Sequence, residues 1–222
     1  MFDKGAIPDG CDTEFGLIET LLWSNKDGFF LLNAHLDRLA QSASVFDFNY
    51  QAERVNHALS AAVTGEPGQH LRVRVVVSKS GLIETSVSNL QPATPETCWR
   101  VIVAKDRFVS SNPLLRHKTT CRSIYEEPLA KAAKEYGADE VLFLNENDEL
   151  CEGARSNLFI PHEDHLLTPS LSSGLLPGTF RAHLLAQGRA IEKRLRTNDL
   201  KEEFFMGNSV RGLVRARLIG LE

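Results

Sequence analysis

Apolar and polar positions along the chain change period several times, and the changes mark out its elements. Residues 15–23 are apolar and β-compatible, and residues 29–32 are apolar again after a turn at Asn25-Lys26-Asp27-Gly28. Two such runs around an Asp-Gly turn predict a hairpin. Leu36, Leu39, Ala40 and Ala43 then recur at helical spacing behind Asn33, a residue type that caps helices. Residues 52–63 predict a second helix, ended by Gly65-Glu66-Pro67-Gly68. Residues 71–77 alternate and then turn continuously apolar, as a strand does on entering a covered sheet. Residues 82–87 and 99–104 predict two more strands. The first half therefore reads β-β-α-α-β-β-β, an α+β arrangement with a mostly antiparallel sheet. The first fifteen residues, rich in Gly, Pro and Asp, predict an irregular lead-in.

Residues 106–116 hold Ser110-Ser111-Asn112-Pro113 and little periodic structure. They predict a connection between a smaller N-terminal α+β domain, residues 1–105, and a larger C-terminal domain, residues 117–222. In the second half, Leu129, Ala132, Ala133 and Tyr136 share one face of a helix over 123–136, and Gly137 is its natural stop. A strand over 140–145, a turn at 146–148 and a longer strand over 150–160, bent at Gly153, follow. Residues 166–169 predict a short strand. The loop 174–179 leads into a helix over 180–189. Asn198 and Asp199 cap a short helix through Phe205, and residues 210–219 form a final, partly extended segment. There is no internal repeat and no low-complexity tract.

Composition narrows the class without naming a chemistry. The 222 residues are 42% hydrophobic and 24% charged, with a net charge of −4. That is an ordinary soluble domain and gives no electrostatic case for nucleic acid or an anionic membrane. No run approaches the length of a membrane span, and the polar opening Met1-Phe2-Asp3-Lys4-Gly5 has no secretory pattern. Cys11, Cys98, Cys121 and Cys151 lack C-x-x-C spacing, so no metal site is expected. They read as small reduced core residues of a cytoplasmic protein.

Two residues stand out against the pattern. Lys118 follows a polar connection, beside His117 and two threonines, just before a helix. A lysine there is ordinarily a solvated surface group; the alternative is an amine that forms a Schiff base with a carbonyl. Glu152 interrupts an apolar strand, where a carboxylate is costly unless paired. It is either an outward-facing strand residue beside Gly153 or a carboxylate with a specific cationic partner. Thr179 and Ser209 sit in glycine-containing loops, the first at a helix start, where free N–H groups suit a phosphate. Arg38 lies on a helix beside apolar positions, where most arginines pair with a neighbour such as Asp37 or Asp47.

In order and spacing these pieces resemble the fold-type IV pyridoxal-phosphate enzymes, a family that includes branched-chain aminotransferases, D-amino-acid aminotransferases and aminodeoxychorismate lyases. Residues 15–20 are similar to the family's opening strand. His35-Leu36-Asp37-Arg38-Leu39 matches its His-x-x-Arg-Leu motif, Lys118-Thr119 its Schiff-base lysine, and Glu152-Gly153-x-x-Ser156-Asn157-Leu158-Phe159 its most specific signature. Gly178-Thr179-Phe180-Arg181 resembles its phosphate-cupping Gly-x-x-Arg loop, and Asn208-Ser209 lies where that cup is completed.

The resemblance implies a two-domain, D-amino-acid aminotransferase-like α+β fold binding pyridoxal 5'-phosphate. Lys118 would hold the cofactor and act as the catalytic base. Glu152 would pair with the ring nitrogen, and Arg38, Ser156, Asn157, Thr179, Phe180 and Ser209 would complete the cofactor site. Residues 116–122 and 207–213 look like those of the lyases. That implies conversion of 4-amino-4-deoxychorismate to 4-aminobenzoate and pyruvate in folate synthesis, the alternative being a branched-chain or D-amino-acid transaminase. Arg122, Arg211, Arg155 and His117 are candidates for the substrate carboxylates, and Asn208 for positioning the substrate. Homodimers are usual in the family and are expected here. A proline usual near Arg215 in the branched-chain transaminases is absent.

Overall fold

The computed structural model describes residues 14–66 and 68–220, so the expected lead-in lies almost wholly outside the described residues, as do Cys11 and Pro67. The chain divides into two compact units. One comprises Met1–Pro92 with His117–Cys121, the other Ala93–Arg116 with Arg122–Glu222. This differs from a boundary at residues 106–116 in two ways, and backbone pairing explains both.

The first unit is a four-stranded antiparallel sheet with two helices. β1 (Leu17–Ser24) lies between β2 (Gly28–Phe29) and β3 (His70–Val77), and β4 (Ile83–Asn89) follows β3. The predicted hairpin forms, but its second strand stops after two residues. Leu31 takes a left-handed conformation, φ 56°, and turns the chain into α1 (Leu32–Phe46). Leu31 rather than Asn33 therefore occupies the N-cap. α1 packs on β1, and α2 (Ala52–Val63) packs on β3 and β4. Leu71, Val73, Val75 and Val77 alternate into the core as β3 predicts. The buried face of α1 is His35, Leu39, Ser42, Ala43 and Phe46, so two polar residues face inward where an apolar stripe was expected.

Residues 117–121 join this unit because they extend along β1. Ile18 N–H donates to Lys118 O at 2.8 Å, and Thr120 N–H to Gly16 O at 2.9 Å. A Cβ on Gly16 would stand 2.7 Å from Val76 Cγ1, so the bare Cα there is what lets β3 lie so close on the other side.

The second unit is built on an eight-stranded sheet. β5 (Cys98–Phe108) belongs here because it pairs in parallel with β6 (Glu140–Asn145) on one side and β12 (Gly212–Leu218) on the other. Strand order continues from β12 through β11 (Phe204–Asn208) to β8 (Asn157–His162), and from β6 to β7 (Leu150–Gly153). β7 also pairs with β8, so six strands close into a ring, and β9 (His165–Pro169) and β10 (Ala190–Lys193) extend it from β8. α3 (Ser123–Tyr136) ends at left-handed Gly137 as predicted. It covers a core of Phe108, Tyr125, Leu129 and Phe143.

Three predicted elements differ. The long bent strand over 150–160 is two strands that turn back on each other. The helix predicted to run to Phe205 is one turn at Thr197–Asp199 followed by β11. α4 covers Thr179–Ala186, and residues beyond it feed β10, which the pattern did not suggest. Among the cysteines, Cys98 and Cys151 are free, but Cys121 is disulfide-bonded rather than reduced. No helix among the described residues is long and apolar enough to cross a membrane.

Phe143 is fully buried, stacked on Phe108 with centroids 4.5 Å apart and meeting Tyr125 edge-on at 5.6 Å. Phe143→Ala is expected to lower unfolding free energy by about 3–5 kcal/mol in urea denaturation. A loss below about 1 kcal/mol would contradict this packing.

Candidate active site

In the first unit the chain holds Lys118 by its backbone. Its carbonyl is bonded to β1, and Thr119 next to it pairs with Leu17. Lys118 itself is half-buried. The neighbouring His117 ring is held by Ser42 Oγ, 3.0 Å from Nδ1, and by the Phe46 ring at 4.8 Å. That explains why Ser42 faces inward.

Arg38 pairs with Glu19, an acid from β1. Its Nε and Nη2 donate to the two carboxylate oxygens of Glu19, at 2.8 and 2.7 Å. Glu19 Oε2 also lies 2.6 Å from His35 Nδ1. Glu19 and His35 are both almost fully buried. Burial raises the Glu19 carboxyl. The Arg38 charge and the hydrogen bonds from His35 and Arg38 outweigh that and hold it at about 2. Glu19 is a lone acid inside an apolar strand, the same signal that singles out Glu152, and it went unused in reading the sequence.

In the second unit Glu152 ends β7 and is 4% exposed. Its Oε1 accepts the Tyr125 hydroxyl at 3.1 Å and the Leu176 N–H at 3.0 Å. Its Oε2 accepts the Asn157 side-chain amide at 3.4 Å. The same amide donates to Leu176 O at 3.1 Å, tying the 174–178 loop to β8. A Cβ on Gly178 would fall 1.9 Å from Asn157 Oδ1, so glycine there is what lets the Asn157 amide seat. α4 starts at the next residue, Thr179, whose hydroxyl-bearing side chain is buried. Arg181, the arginine of the Gly-x-x-Arg loop, is buried and donates to Pro169 O at 2.8 Å and to Glu192. It anchors α4 to the strands behind it. Phe180 meets Phe159 edge-on at 6.3 Å.

The connection between β7 and β8 is three residues, Ala154, Arg155 and Ser156, and the backbone groups of the first two each meet a side chain. Glu140 accepts the Ala154 N–H at 2.9 Å and the Arg155 N–H at 3.2 Å. Arg122 Nη2 donates to Ala154 O, and Asn208 Nδ2 to Arg155 O at 3.1 Å. Glu140 is buried, which pushes its carboxyl up despite these donors. The Gly153 N–H closes the turn on Ser156 O at 2.7 Å, and side chains together with Val141 O of β6, 3.2 Å from the Ala154 nitrogen, satisfy the backbone of residues 154–155.

Two of the substrate candidates, Arg122 and Asn208, have partners within the second unit. Arg122 also meets Glu126 at 3.2 Å and lies over the Tyr125 ring at 4.9 Å, so it is engaged within its own unit. Asn208 donates to Ser156 Oγ and accepts from Val210 and Arg211 N–H, which makes it the cap of the 208–211 turn. Ser156 and Ser209 are buried, and Arg211 and Arg155 are exposed.

The chain matches the family described as amino-transferase class IV over residues 16–219. It belongs to that family, whose enzymes depend on pyridoxal phosphate. A Schizosaccharomyces pombe protein named "Putative aminodeoxychorismate lyase" is 29% identical over 93% of this chain and 90% of its own. A structure of a "Putative amino-acid aminotransferase" from Mesorhizobium loti is 38% identical, covers 92% of this chain and 100% of its own, and has a TM-score of 0.87. A Mycobacterium tuberculosis hypothetical aminotransferase with α-ketoglutarate and PMP bound is 25% identical over 92% of this chain and 81% of its own, with a TM-score of 0.79. The fold is the α+β, D-amino-acid aminotransferase-like fold of fold type IV.

Residue by residue, the chemistry fits the cofactor. In the first unit Lys118 would offer an amine for its carbonyl; in the second, Glu152 would offer a held carboxylate for its ring nitrogen, and Thr179 and Ser209 donors for its phosphate. Sequence reading missed Tyr125 and Leu176 as partners of Glu152, and Glu19 as partner of Arg38.

Glu19 sits below the ordinary carboxylate value of 4.5. The stability it contributes is therefore complete above pH 4.5 and is lost as pH falls through about 2. In Glu19→Gln that part of the acid dependence should disappear. The variant should also be less stable near neutrality by about 3–5 kcal/mol, because Arg38 loses its buried partner. Urea unfolding across this pH range checks both, and parallel curves for the two proteins would contradict the pairing.

Proposed function

We propose that the protein is a 4-amino-4-deoxychorismate lyase, forming 4-aminobenzoate and pyruvate. The observation that carries this reading is the near full-length likeness to the Schizosaccharomyces pombe protein, and residues 116–122 and 207–213 agree with it. Lys118 Nζ would hold the cofactor at its carbonyl and, when free, would remove the proton from the carbon bearing the substrate amine. Pyridoxal phosphate, when bound, would supply an electron sink for the pair left behind. Glu152 would pair with the ring nitrogen. Arg38, Thr179 and Ser209 would hold the phosphate, with Ser156, Asn157 and Phe180 completing the cofactor residues. The substrate's C–O bond to the enolpyruvyl group breaks as the proton is lost, the ring becomes aromatic, and the released enol takes up a proton to give pyruvate. Aromatisation drives the reaction, so the protein's task is mainly orientation.

Of the groups considered for the substrate carboxylates, Arg155 suits the role best. It is exposed at the tip of the β7–β8 hairpin, beside Ser156, while its backbone is clamped by Glu140 and Asn208. Arg211 is the second choice, and His117 and Arg122 have structural contacts. We further propose a cytoplasmic homodimer.

A second reading is supported by the 38% identity to the Mesorhizobium loti protein, whose name is that of an aminotransferase. The purified protein should convert 4-amino-4-deoxychorismate to 4-aminobenzoate, followed by fluorescence, with pyruvate in equal amount. D-Alanine or L-leucine with 2-oxoglutarate should give no transfer. Turnover only with the amino acids would overturn the lyase reading in favour of the transaminase.

A further inference from the structure

The Tyr125 hydroxyl donates to Glu152 Oε1 at 3.1 Å from a ring that cannot easily move. Phe108 and Phe143 meet that ring edge-on at 5.3 and 5.6 Å, and the Arg122 guanidinium lies 4.9 Å over it. Tyr125 also lies on the inner face of α3, with Leu129 and Ala132. So a stacked aromatic cluster, not a flexible side chain, sets where this donor points.

Other groups also face Glu152. Leu176 N–H and the Asn157 amide are neutral donors. Arg116, on the turn Pro113–Arg116, interacts with Glu152 through its charge while donating to Leu175 O at 3.2 Å. Cys151 precedes Glu152, and burial together with that carboxylate pushes its thiol far up, so it stays neutral. Burial and Glu152 likewise push the Tyr125 phenol well above its ordinary range, so it remains a donor at every working pH.

We propose that Tyr125 is a positioning residue for the reaction, its hydroxyl keeping Glu152 ionised and its carboxylate oriented for the cofactor's ring nitrogen. The inference rests on the reading that Glu152 meets that nitrogen. A buried carboxylate stripped of donors becomes more basic. Glu152 would then take the shared proton for itself, and the ring would become a poorer electron sink. A neutral phenol lowers the carboxylate's basicity without cancelling its charge, which suits a group that must stay anionic beside a cation.

Tyr125→Phe removes the hydroxyl and keeps the ring, so packing against Phe108 and Phe143 survives. Infrared difference titration of the apoenzyme follows the Glu152 carboxyl, identified as the band lost in Glu152→Gln. In Tyr125→Phe its protonation midpoint should rise by about one pH unit. Tyr125→3-fluorotyrosine, a stronger donor of nearly the same shape, should lower it. Pyridoxal phosphate titrated into Tyr125→Phe apoenzyme should bind roughly tenfold more weakly, and kcat should fall by at least as much with KM little changed. A purely structural tyrosine would not give opposite shifts in the two variants.

An unmoved carboxyl midpoint, with Glu152→Gln still losing cofactor affinity, overturns the role of Tyr125 and leaves the site reading standing. A moved midpoint with unchanged affinity and kcat overturns it differently, by showing that Glu152 does not serve the ring nitrogen.

Discussion

A buried carboxylate costs several kcal/mol unless donors surround it, and the second unit is arranged around meeting that cost at Glu152. Its donors come from α3, from β8 and from the loop before α4. Each donor is held in turn. Tyr125 is gripped by aromatic rings, Asn157 by Leu176 O and the bare Cα of Gly178, and Leu176 by Asn157. At the hairpin tip next to Glu152, Glu140, Arg122 and Asn208 bond to the backbone of residues 154 and 155. Charge at position 152 is thus placed in advance of any ligand, which is the form of preorganisation that favours catalysis.

The first unit solves the same problem at Glu19. There the partners are charged: Arg38 binds both oxygens and His35 meets one. An arginine held on two nitrogens has a fixed guanidinium plane. Glu19 therefore orients the residue that family resemblance assigns to the phosphate. The inward-facing His35 and Ser42 of α1 have the same explanation, since one meets Glu19 and the other meets His117. Polar residues displaced the expected apolar stripe because buried Glu19 and half-buried His117 need partners from α1.

Most elements were legible from period and punctuation. α2, α3 and β6 lie where residues 52–63, 123–136 and 140–145 place them, since each has an unbroken pattern and a clear stop. What failed was long-range. Nothing local shows that β5 pairs in parallel with β12, more than a hundred positions later, or that residues 117–121 follow β1. The bend at Gly153 was visible, but its sharpness depends on Glu140, Arg122 and Asn208, which arrive from three separate elements. The left-handed Leu31 is hidden for a similar reason: leucine carries no signal for that conformation. At the site, Lys118 and Glu152 were readable as residues out of place. Tyr125 was not, because a tyrosine on a buried helix face looks like core until its hydroxyl has a partner. Nor were the bonds of Arg122 and Asn208 to the hairpin backbone legible, since they join positions far apart in the chain.

The central claim is that Glu152 holds a protonated ring nitrogen. Nitrogen-15 magnetic resonance of holoenzyme loaded with ring-labelled pyridoxal phosphate tests it most directly. The account predicts a protonated nitrogen in the native protein and loss of that signature in Glu152→Gln. An unprotonated nitrogen in the native protein, or the same signal in both, would contradict it.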